Sequence, residues 1–297
     1  MRIDRERVLR TLTFWLRPDF VLRCLRRFQA LEGFDRAVAL ASLAFTAIIP
    51  LGIVMSGVIS DHDVGAQLVD RYGLEGKGAT AVRDLFDRSD DLASGFSLFS
   101  AFLLLVTILS FSRALQRLFE RAWDLEPLSL RNTKNGLMWV LGVVVYSTVT
   151  GFVRSAYDRG VMELLTVAAL LALGLVFVVF TGITLSNRRL TRHQLMPAAT
   201  LVVALGAIFA VGGDIYVPRL FNSYADRYGA VGAVFAMISW LFVLMIALVG
   251  AVAAGREVWA ELEAIRRGDR PSHAQIEAEW ASVRRRVAEL RGGGGRS

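Results

Sequence analysis

Cysteine is almost absent: Cys24 stands alone in 297 residues. That excludes an internal disulfide framework and any cysteine-rich metal site. Histidine is scarce too. His62, His193 and His273 fall in three separate regions, no His-Glu-x-x-His occurs, and no metal or other cofactor is expected. No glycine-rich loop ends in Gly-Lys-Ser/Thr, so ATP hydrolysis by this chain is not expected. The most informative absence is charge. Six stretches of about twenty residues or more hold no Asp, Glu, Lys or Arg: Ala37–Ser60, Leu92–Ser112, Asn135–Val153, Leu164–Asn187, His193–Gly213 and Tyr228–Gly255.

An α-helix rises ~1.5 Å per residue, so ~20 apolar residues cross a hydrocarbon core of ~30 Å. The hydrophobic fraction of 54% and mean hydropathy of +0.47 exceed those of ordinary soluble domains. The expected fold class is therefore an all-α integral membrane protein, with six transmembrane helices (37–60, 92–112, 135–153, 164–187, 193–213, 228–255) and amphipathic cytoplasmic flanking helices. Residues 1–36 form a basic interfacial segment, 37–255 the bundle, and 256–297 a cytoplasmic tail ending in a disordered Gly-rich stretch. The first apolar run begins only at Ala37 after a mixed-charge start, so it is expected to act as a retained signal anchor.

A net charge of +7 and a pI near 10.1 would point to nucleic acid in a soluble chain. Here the excess follows from the positive-inside bias of membrane proteins, and nucleic acid is not an expected partner. With an even number of spans, the side bearing both termini holds 26 Lys and Arg against 8 on the other. This places both termini in the cytoplasm. The longest external loop, Asp61–Asp91, carries 8 acids against 4 bases. Its middle, Gly73–Gly78, reads as a turn, with Thr80–Arg88 a short helix after it.

Before the first span, Trp15, Leu16, Val21, Leu22, Leu25 and Phe28 alternate in helical rhythm with Arg17, Arg23, Arg26 and Arg27. This is the pattern of a helix in the headgroup layer or one packed beneath the bundle; Pro18 sits at its start. Pro50 within the first span is a candidate kink, with Gly52 and Ser56 a small-residue face beside it. After span two, Phe111, Leu115, Leu118, Ala122 and Leu125 continue an apolar stripe while Arg113, Arg117 and Arg121 recur every fourth residue. The arginines read as a solvated extension or as a rim for anionic headgroups. Span five is expected to end at Gly212-Gly213-Asp214 before Pro218. In span six Ala247, Ala251 and Gly255 admit a close helix, and a homo-oligomer is compatible with such a face. Pro271-Ser272-His273-Ala274-Gln275 matches a capping box opening a tail helix, with Ile276, Trp280, Val283, Val287 and Leu290 along one side.

Three stretches resemble the YihY/BrkB family of bacterial inner-membrane proteins. They are Ala39 to Leu51, running into Pro50; Ala114-Leu115-Gln116-Arg117 to Trp123; and Tyr228-Gly229 through Gly232 to Trp240, then Leu248-Val-Gly250-Ala251. The chain departs from the family pattern at Gln116, where Asn is frequent, at Ala198, where a Gly commonly follows the proline, and at Val252, where an acid often follows Gly-Ala. The resemblance implies a six-helix bundle with both ends cytoplasmic. Some members were once labelled a ribonuclease, a label since withdrawn, and others have been linked to serum resistance or envelope lipid export.

Catalysis is not expected, because Glu257, Glu261 and Glu263 sit at helical spacing among arginines and read as surface pairs. The spans lack the mid-membrane charges that ion-coupled transporters retain. They hold hydroxyls instead: Ser42, Thr46, Ser110, Tyr146, Thr148, Thr150, Thr181, Thr184 and Ser239. These serve either helix–helix hydrogen bonds or a mildly polar cavity for an amphiphile. The candidate cavity and outer mouth comprise Tyr146, Thr150, Arg154, Thr184, Asp214 and Tyr216. The candidate headgroup rim comprises Arg113, Arg117, Arg121, Arg188, Arg189 and Arg192, with anionic membrane lipids as the partner. Two functions follow as alternatives: transport or handling of a lipid-like envelope component, and a non-transporting scaffold that recruits partners through its cytoplasmic helices.

Overall fold

Six long helices organise the described residues. The computed structural model describes residues 17–58, 93–128, 133–156, 162–269 and 275–282, with positions 69, 76, 79, 80 and 83 between the first two stretches. Trp15, Leu16, the short helices expected in 61–91, the capping box at 271–274, the tail beyond 282, His62 and His273 lie outside these residues. So do the side chains of Gly52, Ser56 and Asp214.

Helix α1 is Pro18–Ala30, with proline in its first turn and Asp19 beside its positive end. Glu32, in the left-handed region at φ 53°, turns the chain into α2, Gly33–Val58, which stays helical through Pro50. Then come α3 (Ala93–Ala122), α4 (Thr133–Ala156), α5 (Met162–Leu185) and α6 (Arg192–Arg266). No strand occurs among the described residues.

Five helical stretches among the described residues are long and apolar enough to cross a bilayer: Phe99–Ala122, Lys134–Arg154, Leu164–Leu185, Arg192–Gly213 and Val231–Arg266. The expectation was six. The first expected span lies on α2, whose side chains from 52 onward are not described. Leu141, Phe152, Leu164 and Val176 are each more than 60% exposed on α4 and α5. In water such surface would aggregate; in a bilayer its solvent is lipid.

Helix α6 departs from the expected layout. No loop follows Gly213: the helix runs through Asp214 and Pro218 and reverses only at Gly229, where φ is 60° and ψ −141°. That backbone region is essentially confined to glycine. The two arms, 192–228 and 230–266, each extend ~55 Å, well beyond a ~30 Å hydrocarbon core. Tertiary packing overrides the Gly-Gly and Pro signals, because Val217, Phe221 and Ala225 form a buried i, i+4, i+8 stripe. Val217 and Phe221 pack with Ala233 and Ala236 of the returning arm and with Val69 and Ala79.

Small residues set how closely the arms approach. A Cβ on Gly232 would lie 2.0 Å from the Tyr224 carbonyl oxygen, and one on Gly255 would lie 2.2 Å from Ala198 Cα. The Ala198 backbone nitrogen and Cβ both lie 2.5 Å from the same point, so position 255 has no room for a methyl. The larger core lies at the charged end of the bundle. It joins Leu31, Ala37 and Leu40 to Leu115, Leu118, Phe119 and Ala122, with Leu185, Leu195, Val249 and Val252. Helix α2 packs along α3 and α6, while α5 bridges α4 to α6.

Candidate functional site

The charged end of the bundle gathers most of the polar chemistry of the described residues. Glu257 and Glu261, one turn apart on α6, are buried, contrary to the expectation of surface pairs. Their partners come from α1 and from Arg17 just before it. Arg17 Nη2 stands 2.6 Å from Glu261 Oε1, and Arg23 donates to Glu261 Oε2. Arg27 donates to Glu257 Oε1 at 3.0 Å and to both Asp124 oxygens at 3.0 Å. Burial opposes the charge on Arg27, but its hydrogen bonds to Glu257 and Asp124 outweigh that and raise its pKa. Arg17, Arg23 and Arg27 therefore face protein acids, while Val21, Leu22 and Leu25 are exposed. The same desolvation, helped by Glu257, pushes the half-buried Cys24 thiol up to about 11.

A second acid organises the neighbouring turns. Glu120 is buried at 3% exposure and accepts from Gln116 Nε2 at 2.9 Å, from the Leu128 amide at 3.0 Å and from Arg189 Nη2 at 3.0 Å. Arg189 also donates to the carbonyls of Glu126 and Ser186. It staples the α5–α6 turn, where Asn187 and Arg188 are left-handed, to the chain leaving α3. Arg189 is thus not a free member of the expected rim. Arg113, Arg117, Arg121, Arg188 and Arg192 are exposed.

Arg36, at the start of α2, was not among the expected rim residues. Its Nε donates to the Leu31 carbonyl, and its nearest acid is the exposed Glu32 at 3.8 Å. Burial, followed by the repulsion of Arg121 and Arg117, lowers its pKa despite Glu32.

Those of the expected cavity residues whose side chains are described do not converge on one point. Tyr146 stacks on Phe177, ring centres 4.3 Å apart, and its hydroxyl approaches Gly174. The Thr150 hydroxyl donates to the carbonyl of Tyr146 within its own helix, at 2.8 Å. Thr184 is buried near the end of α5, ~15 Å along that helix from Gly174. Arg154 is exposed in the last turn of α4. Tyr216 is exposed on α6, its ring 6.3 Å from that of Trp240. Thr46, Thr107, Ser110, Thr148 and Thr181 also donate to carbonyls one turn back. Thr181 additionally accepts from Trp139 Nε1 at 3.1 Å, joining α4 to α5. No group of three or more His, Cys, Asp or Glu that could hold a metal occurs among the described residues.

Glu120, Gln116 and Arg189 form the part of the site least visible in sequence. Gln116 and Glu120 interrupt the apolar stripe of α3 one turn apart, and that was the available signal. Their partner lies 69 residues away, where no local spacing reveals it.

Comparison with known proteins agrees with this architecture. The family described as Virulence factor BrkB matches residues 24–275. A "UPF0761 membrane protein" of Chromohalobacter salexigens is 29% identical, covering 81% of this chain and 64% of the relative. Membrane proteins of the same description from Xanthomonas campestris pv. campestris and Xanthomonas oryzae pv. oryzae are 22% and 21% identical, covering 77% of this chain and 58% of each relative. The chain thus spans about three fifths of the length of these curated relatives. No solved structure matches.

Proposed function

The chain belongs to the BrkB family of membrane proteins, and from that premise we propose that it handles an anionic amphiphile at the cytoplasmic face of the bacterial inner membrane. The observation that carries the reading is how the arginines of the charged end divide. Arg17, Arg23, Arg27 and Arg189 are tied to Glu261, Glu257, Asp124 and Glu120 and hold the fold together. Arg117 and Arg121 have no acid partner among the described residues and are exposed where α3 leaves its apolar stretch. Cations in that position attract phosphate-bearing lipids, because the anionic leaflet contributes ~1 kcal/mol per Lys or Arg near its surface. The exposed apolar residues of α1, Val21, Leu22 and Leu25, suit a helix seated in the same headgroup layer.

On this reading both termini are cytoplasmic, in keeping with the 26-to-8 bias in Lys and Arg. The amphiphile engages the lipid-facing surface of the helices, since the hydroxyls once expected to line a cavity are largely satisfied within their own helices. The test is reconstitution into liposomes containing a fluorescent anionic phospholipid analogue. Exchange of the analogue between leaflets should exceed that of protein-free liposomes. Equal exchange, with no enrichment of anionic lipid on the purified protein, contradicts the proposal and favours a non-transporting scaffold.

A further inference from the structure

Arg36, Arg117 and Arg121 come from two helices and meet at one place. Ala37 and Leu40 of α2 are buried with Leu115, Leu118 and Ala122 of α3, and this interface fixes the start of α2 against the last turns of α3. Arg117 and Arg121, one turn apart, lie on the exposed face of α3. Arg36, held by its bond to the Leu31 carbonyl, lies one turn before the buried Leu40 on the α2 face that packs against α3, and the charges of Arg121 and Arg117 act on it. Three guanidinium groups thus share a site with one acid nearby, the exposed Glu32. Arg17, Arg23, Arg27 and Arg189 at this end each have a buried carboxylate; Arg36, Arg117 and Arg121 have none among the described residues.

We infer that Arg36, Arg117 and Arg121 form a binding site for the phosphate group of an anionic membrane lipid. Guanidinium forks match phosphate oxygens in pairs, which a diffuse positive surface does not. A lipid is favoured over free phosphate because Arg117 and Arg121 fall in the last turns of Phe99–Ala122, a stretch long and apolar enough to cross a bilayer, so their guanidinium groups stand at headgroup depth beside the acyl chains. This site gives the proposed function its headgroup chemistry and rests on that reading.

The experiment uses the full chain in nanodiscs of phosphatidylcholine containing a tenth of phosphatidic acid, with bound lipid counted by native mass spectrometry. The wild type should retain phosphatidic acid at least fivefold over its share of the bilayer. Arg117→Gln/Arg121→Gln, both exposed positions, should bring retention to parity without lowering the melting temperature. Arg188→Gln/Arg192→Gln should leave it unchanged. Undiminished preference in the first variant overturns the site, and if the wild type still exchanges anionic lipid, the broader reading stands without it. Loss of preference in the Arg188/Arg192 variant alone moves the contact to the other rim arginines and also overturns the site. In a parallel arm, inorganic phosphate is added at millimolar concentration. Displacement of the retained lipid by phosphate alone overturns the assignment to lipid; persistence of the lipid supports it.

Discussion

Glu261 and Glu263 stand two residues apart on one helix and differ in every physical respect. Glu261 is 4% exposed and pairs with Arg17 and Arg23, whereas Glu263 is 38% exposed and reaches Arg266 only at 3.9 Å. Removing one partner of a buried ion pair leaves an uncompensated charge and costs about 3–5 kcal/mol. An exposed pair contributes little. Glu261→Ala should therefore lose stability on that scale in denaturant unfolding followed by tryptophan fluorescence, while Glu263→Ala should stay within about 0.5 kcal/mol of wild type. Equal losses would mean that α1 is not held by this bond.

Cys24 gives a second test at the same scale. Its pKa rises from 9.0 to about 11, so at pH 8 its thiolate fraction is about a hundredfold below that of an ordinary cysteine. Alkylation by an uncharged reagent should be slower by about that factor in the native protein than in its SDS-denatured form. The linkage has a fixed sign. A folded-state pKa above the unfolded one contributes stability that is fully present below pH 9.0 and lost as pH rises through about 11.

Among the elements, what could be read from sequence and what could not separate along a clear physical line. The α3 stripe was legible: Leu115, Leu118 and Ala122 are buried while Arg113, Arg117 and Arg121 face outward, because helical period and burial are local properties. The continuation of α6 through Gly213 and Pro218 was not legible. Local breaker residues predicted a loop, and the buried contacts of Val217 and Phe221 with a distant part of the chain overrode them. The acid–arginine pairs were hidden for the same reason, with Arg23 and Glu261 separated by 238 positions. Close approach of the α6 arms yields its own prediction. Gly255→Ala pushes a methyl against Ala198, whereas Gly250 has open space around its Cβ position. Gly255→Ala should lower the melting temperature in detergent, and Gly250→Ala, which removes a poor helix former, should not. Matching behaviour of the two variants would contradict the packing.

At the scale of the whole molecule, a long helical hairpin carries a charged, ion-paired base at one end and its Gly229 turn at the other, with lipid-facing helices alongside. The proposed chemistry requires the base to face the cytoplasm, where Arg117 and Arg121 meet anionic lipid. Single cysteines in a Cys24→Ala background decide this most directly: Tyr228→Cys beside the turn and Arg188→Cys at the base, both at exposed positions. They are treated with a membrane-impermeant maleimide on intact spheroplasts and again after permeabilisation. The account predicts labelling at position 228 in intact spheroplasts and at position 188 only once the membrane is opened. Labelling at 188 from outside, with 228 protected, would invert the molecule and contradict it.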